Sequence, residues 1–202
     1  MINDPSFSPA GVFAPKSKAD LAFTLHMLAW LSTSGTAAIV EFPGVLYRSG
    51  AEQKIRKYLI DNNYVDAVIQ LPPDLFFGTS IATCVVVLKK SKKDNSTLFI
   101  DASAEFVRGG NKNKLGETNR KKILNAYIER KDINHFARLV PNNDIADNDY
   151  NIAISSYVEQ ENTTEDVDIE KLNAHITEIV IRQNKLRTAI DEIVADLEGG
   201  TI

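Results

Sequence analysis

From Ile169 onward the chain repeats a single spacing. Ile169, Leu172, Ile176, Ile179, Gln183, Leu186, Ile190, Ile193 and Leu197 are separated alternately by three and four residues, the period that lays one apolar stripe along a helix and against a partner helix. Asp166 or Asp168 suits its start and Gly199-Gly200 its end, which places a helix over 166–198. At about 1.5 Å per residue it would run roughly 45 Å, more than a small sheet domain can cover. Its seam, with Gln183 as a polar position able to set register, therefore needs a second helix. That helix belongs to another protein, to a second copy of this chain in a homodimer, or to the chain's own segment 120–138.

The rest of the chain alternates in period. Residues 1–17 hold Pro5, Pro9 and Pro15 too close together for a helix or a central strand, and read as an irregular segment. Leu21, Leu25 and Leu28 then fall at helical spacing, with Ser17 as a cap and Gly35 as a stop. Runs at 36–42, 65–71, 81–88 and 97–100 read as strands, the first three buried, with a second helix over 49–62 whose Lys54, Arg56 and Lys57 point away from its apolar side. Residues 89–96 read as a hairpin turn joining the last two strands. Together 18–106 form an α/β domain. Residues 107–165 read as a loop and short-helix connector, with a mobile loop at 107–118 and a helix over 120–130.

A formal charge of -4 argues against a dedicated nucleic-acid coat, while leaving room for a local basic surface. The single cysteine, Cys84, lies in an apolar run and is expected to act as a small buried hydrophobe, which points to a cytosolic, cytoplasmic compartment. No run approaches a membrane span, and no membrane partner is expected. His26, His135 and His175 stand at no ligand spacing, so no metal site is proposed. The glycine-rich phosphate loops and the serine nucleophile elbow are absent from the sequence.

Three long strings carry a resemblance: Phe13-Ala-Pro-Lys-Ser-Lys-Ala-Asp-Leu-Ala-Phe-Thr-Leu-His-Met-Leu-Ala-Trp-Leu31, Gly35-Thr-Ala-Ala-Ile-Val-Glu-Phe-Pro-Gly-Val-Leu-Tyr-Arg-Ser-Gly-Ala-Glu-Gln-Lys-Ile-Arg56 and Ile69-Gln-Leu-Pro-Pro-Asp-Leu-Phe-Phe-Gly-Thr-Ser-Ile-Ala-Thr-Cys84, joined later by Asn148-Asp-Tyr-Asn-Ile152. The chain resembles the C-terminal portion of the methylation subunit of type I restriction-modification systems, an N6-adenine DNA methyltransferase family. The resemblance implies an α/β fold holding the C-terminal half of an S-adenosylmethionine-dependent methyltransferase sheet, followed by a long coiled-coil-type helix. It also implies DNA, the specificity subunit and the restriction subunit as partners, the specificity subunit being met by the terminal helix. In the family, S-adenosylmethionine is held by a glycine-containing loop, and catalysis falls to an [Asn/Asp/Ser]-Pro-Pro-aromatic motif. Neither occurs in these 202 residues, so no catalytic or cofactor-binding residue is assigned, and the chain alone is expected to be inactive and not to hold the cofactor tightly.

Asp4-Pro5-Ser6-Phe7 and Leu71-Pro72-Pro73-Asp74 imitate the motif incompletely. Such enzymes flip the target adenine out of the duplex and stack it on flat side chains. The resemblance puts Phe77, or failing that Phe76, at the wall of that pocket; Phe76 is read as a core residue capping the sheet edge, and for Phe77 both roles stay open. Arg48, Lys54, Arg56, Lys57, Lys89, Lys90, Lys92 and Lys93 are candidates for phosphate contact or for a solvated surface. The edge at 36–42 is expected to be covered by the N-terminal segment or by a second copy. The sheet reading requires Ile39, Val68 and Val86 to lie in one sheet. Alternatives from other classes are a stand-alone interaction module and a degenerate regulatory copy that binds the specificity subunit through the terminal helix.

Overall fold

Short β-branched runs between amphipathic helices build a mixed five-stranded sheet in the computed structural model, which describes residues 4–160 and 169–199. Helix α1 (Asp20–Trp30) turns Leu21, Leu25 and Leu28 into the core. Ser17 does not cap it: the flanking residue is Ala19, whose carbonyl accepts from the N–H groups of Ala22 and Phe23. Then come strand β1 (Thr36–Glu41), a 3-10 turn (Pro43–Leu46), helix α2 (Ala51–Asp61) and strands β2 (Val65–Gln70), β3 (Cys84–Lys89) and β4 (Ser96–Asp101). Strands β5 (Val107–Gly109) and β6 (Lys112–Lys114) form a separate hairpin. Helix α3 (Glu117–Glu129), strand β7 (Ala137–Pro141), helix α4 (Asn142–Asp147) and a 3-10 turn (Ile154–Ser156) complete the first compact unit; helix α5 (Ile169–Gly199) belongs to a second.

The strand order is β1-β3-β2-β4-β7, with β2 and β4 parallel and every other pair antiparallel. Ile39 and Val68 both stand beside Val86, so the required sheet exists. Strands β1, β2 and β4 run the same way and end together at Glu41, Gln70 and Asp101. One face of the sheet packs under α1, α2 and Ile145 of α4, through Val68, Val86 and Phe99; the other packs under α3, through Ala67, Ile69, Val87 and Ala126.

Four expectations change. Residues 89–96 are not a hairpin, because β2 lies between β3 and β4. Residues 107–118 hold the β5–β6 hairpin and the start of α3 instead of an unstructured loop. Strand β7 joins the sheet from within 107–165, with Ala137 and the half-buried Leu139 in the core on the α3 side and Val140 in the core on the opposite face. And β1 is an edge, not a buried strand: Ala37 and Ile39 pack inward, while Thr36, Ala38 and Val40 are exposed. The N-terminal segment does not cover that edge; its 3-10 turn (Pro5–Phe7) lies on α1, with Phe7 stacked 4.7 Å from His26. Among the described residues no strand pairs with the outer side of β1.

Arg56 is likewise not on the solvated side of α2. It is 1% exposed and donates to the carbonyls of Val45 (2.9 Å) and Tyr150 (2.8 Å), clamping the segment after α4 onto the helix. Burial lowers its pKa to about 10, against the pull of Glu52. Buried carbonyls need donors, and a long guanidinium stem reaches two at once. Cys84 is buried as anticipated, its thiol pushed up to about 12 by burial. Helix α5 carries Ile169, Leu172, Ile176, Ile179, Leu186, Ile190, Ile193 and Leu197 all exposed, from 48% at Leu172 to 72% at Leu197. The caps proposed at Asp166 and Asp168 lie outside the described residues. No described helix is long and apolar enough to cross a membrane.

Candidate functional site

In open α/β sheets the crevice outside the carboxyl ends of the strands is where ligands meet the fold. Here that border carries two excursions, the loop 71–83 between β2 and β3 and the β5–β6 hairpin after β4. The loop is pinched at its neck: Leu71 N–H and Gln70 Nε2 both donate to the Thr83 carbonyl, at 2.8 and 3.1 Å. Farther out, Asp74 N–H donates to the Ser80 carbonyl (3.3 Å), and the tip reverses through left-handed residues Asp74 (φ 54°) and Gly78 (φ 82°). The Thr83 hydroxyl beneath the neck is buried without a hydrogen-bond partner.

Phe77 sits on this tip with its side chain 99% exposed. Leaving a phenyl ring in water forgoes roughly 1.5–3 kcal/mol relative to burying it, so the core reading of Phe77 does not hold. Nor does it hold for Phe76, which is 39% exposed; the loop projects beyond the sheet end that Phe76 was expected to cap.

The hairpin braces the loop. Asn113, 4% exposed, donates through its backbone N–H to the Asp74 carbonyl (3.0 Å) and through Nδ2 to the Pro73 carbonyl (2.8 Å). Lys112 Nζ donates to the Thr79 carbonyl (2.8 Å). Asp74 carries its carboxylate 3.8 Å from both Arg108 and Lys112, and Arg108 donates to Asn113 Oδ1 (3.0 Å). The loop that carries Phe77 is thus tied to the hairpin on both sides of that residue, at Pro73 and Asp74 and at Thr79. The brace escaped the sequence reading because its strands are three residues long, too short for any period to show; the Gly109-Gly110 pair between charged residues was its only signal.

The imitations of the catalytic motif are both engaged elsewhere. Asp4 Oδ1 accepts from Ser6 N–H (2.9 Å), and hydrogen bonding from the Ser6 side chain, then from its backbone, holds the carboxyl below the ordinary carboxylate value; Phe7 is stacked on His26. Leu71 is buried and Asp74 is ion-paired. Of the cations proposed for phosphate, Arg56 is sealed in the core, Lys89 reaches Asp66 (3.5 Å), Lys90 donates to the Leu31 carbonyl (2.6 Å), and Lys92 donates to the Val65 carbonyl (2.6 Å), with its pKa lowered to about 8 by burial. These four stitch the fold together. Lys54 and Lys93 remain exposed.

The family model for N-6 DNA methylases matches residues 1–166. The chain is 49% identical over 199 residues to the type I restriction enzyme MpnII methylase subunit of Mycoplasma pneumoniae, covering 98% of this chain and 37% of that protein. It is 35% identical over 195 residues to the MjaVII methylase subunit of Methanocaldococcus jannaschii, covering 94% and 33%. Among solved structures, the type I restriction-modification methyltransferase subunit from Streptococcus thermophilus superposes with a TM-score of 0.76 at 48% identity, over 78% of this chain and 34% of that one. The chain spans about a third of the length of each of these relatives.

Proposed function

This chain belongs to the N-6 DNA methylase family, among the methylase subunits of type I restriction-modification systems, and on that premise we propose that it forms the target-base side of an adenine-N6 methyltransferase. The observation that carries the reading is Phe77, fully exposed on a braced loop at the border where β1, β2 and β4 end. An adenine turned out of the duplex has a flat face to offer, and a fixed, solvent-facing phenyl ring is the complementary surface. Phe77 is the wall of the base pocket.

The family takes its methyl group from S-adenosylmethionine. The residues of this chain do not fit that cofactor by themselves. After β1 the chain runs Phe42-Pro43-Gly44, and the space above Gly44 is filled by the Arg48 guanidinium rather than left as a cradle. The cofactor loop and the catalytic motif belong to a sheet half that pairs with the free edge of β1, and this chain alone does not methylate DNA. A second reading is supported by the exposed seam of α5: the terminal helix docks the chain onto the specificity subunit, and the sheet then serves as an interaction module or regulatory copy.

The base-wall reading is tested with a duplex carrying 2-aminopurine opposite an abasic site. Binding of the chain is expected to raise the fluorescence of the 2-aminopurine as the base leaves the stack of its quenching neighbours, and Phe77→Ala to weaken that interaction by the roughly 1–3 kcal/mol typical of one base–aromatic stack. An unchanged response in the variant would remove Phe77 from the pocket. Calorimetry with S-adenosylmethionine is expected to give no binding in the micromolar range; a clear micromolar isotherm would show that the chain holds the cofactor without its other half.

A further inference from the structure

The charge of this chain is strongly uneven. Residues 107–122 carry Arg108, Lys112, Lys114, Arg120, Lys121 and Lys122 against the single acid Glu117. That stretch is net +5 in a chain of net -4, which leaves -9 for the remainder. It is also continuous in space with the Phe77 loop. Its first half is the β5–β6 hairpin, bonded to the loop at Pro73, Asp74 and Thr79. Its second half opens α3, whose flanking Gly116 lies against Val107 of β5. Part of this charge is used internally: Lys121 pairs with Glu117 (2.7 Å), Lys122 with Glu105, and Arg108 and Lys112 share Asp74. Lys114 and Arg120 are exposed, and among the described residues neither side chain has a hydrogen-bond or ion-pair partner.

We propose that the β5–β6 hairpin and the first turns of α3 form a contact surface for the double-stranded DNA backbone, in which Lys114 and Arg120, with the outer side of Arg108, hold phosphates beside the base stacked on Phe77. The proposal deepens the base-wall reading and rests on it for the placement of the DNA. Phosphate contacts fix register while aromatic and base-edge contacts read the base, and the hydrogen bonds of Asn113 tie the basic hairpin to the base of the loop that carries Phe77. The unpaired cations Lys114 and Arg120 stand beside the Phe77 loop, where a flipped nucleotide is flanked by its own backbone, and the net charge of the rest of the chain is acidic.

The test is the salt dependence of binding between the full 202-residue chain and a labelled duplex, followed by fluorescence anisotropy from about 0.05 to 0.2 M salt, where each phosphate contact contributes about 0.9 to the slope of log K against log salt. The double variant Lys114→Gln with Arg120→Gln, which breaks no hydrogen bond or ion pair, is expected to lower the slope by about 1.8, and Lys114→Arg with Arg120→Lys to keep it. Lys16→Gln with Lys131→Gln, the same charge change at exposed positions elsewhere, is expected to leave it unchanged. Three results overturn the proposal: no measurable DNA binding at the low-salt end, an equal fall in both Gln pairs, or displacement of the DNA by a polyglutamate peptide at equal charge concentration, which would mark an acidic protein as the occupant. Phe77→Ala is expected to keep the slope while losing the 2-aminopurine response. A lost slope in the cation pair alongside an unaffected response in Phe77→Ala supports the backbone surface and sinks the base wall alone.

Discussion

Glu41 closes β1 with its carboxyl buried, 5% exposed, accepting one hydrogen bond from Thr24 Oγ1 at 2.7 Å. Burial raises its pKa, and the Thr24 bond only partly offsets that. The unfolded chain ionises this group near 4.5, the folded chain at higher pH, so its favourable share of stability is complete below 4.5 and is lost as pH rises through the folded value. Glu41→Gln, which keeps an acceptor for Thr24 and discards the charge, is therefore expected to melt above the parent at pH 7. The gap should narrow as pH falls toward 4.5, and a gap that stays constant would show that the carboxylate carries no burial cost. Glu41 and Arg56 share a lesson about sequence reading. Both look like surface charges by residue type, and both are buried because a specific partner, the Thr24 hydroxyl in one case and two carbonyls in the other, waits at the end of the side chain. Such partners are set by tertiary contacts distant in sequence, 17 residues for Glu41 and 94 for Arg56 with Tyr150, and no local pattern announces them.

Among the elements, those with a long or strongly apolar period were legible: α1, α2, β2, β3, β4 and the seam of α5 lie where spacing placed them. Those that escaped, β5, β6, β7 and α4, are short, and β7 ends in a proline, which confines it to an edge. The edges themselves differ. On the outer side of β7, Ala137 N–H donates to the Ile133 carbonyl (2.9 Å), Leu139 N–H to Asp132 Oδ1 (2.8 Å), and Pro141 has no N–H. Strand β1 has no such protection: Thr36, Ala38 and Val40 are exposed and uncharged, and its outer backbone is unpaired among the described residues. Natural sheets guard an edge meant for solvent with charge, proline or cover, and β1 carries none of these at its exposed positions among the described residues, which leaves it open to pairing. Val40→Lys is expected to slow the growth of light scattering on incubation while shifting stability by no more than about 0.5 kcal/mol, as for an ordinary surface change. Scattering that grows as fast in the variant would place association elsewhere, α5 first.

At the scale of the whole molecule, the candidate site was half legible. Phe77 was reached through resemblance, since a lone aromatic beside a glycine says nothing by itself. The basic hairpin that mounts it was visible only as composition until the fold joined residues 108–114 to 73–79. The described residues divide into the sheet unit and the terminal helix, and their exposed surfaces differ in kind: an uncharged strand edge and a basic hairpin on the first, exposed apolar side chains on the second. The asymmetry between the two borders of the sheet has a last consequence. A layer that is sealed along one margin and open along the other can accept a neighbouring strand only once, so joining through it ends at a pair and cannot run on into a fibre.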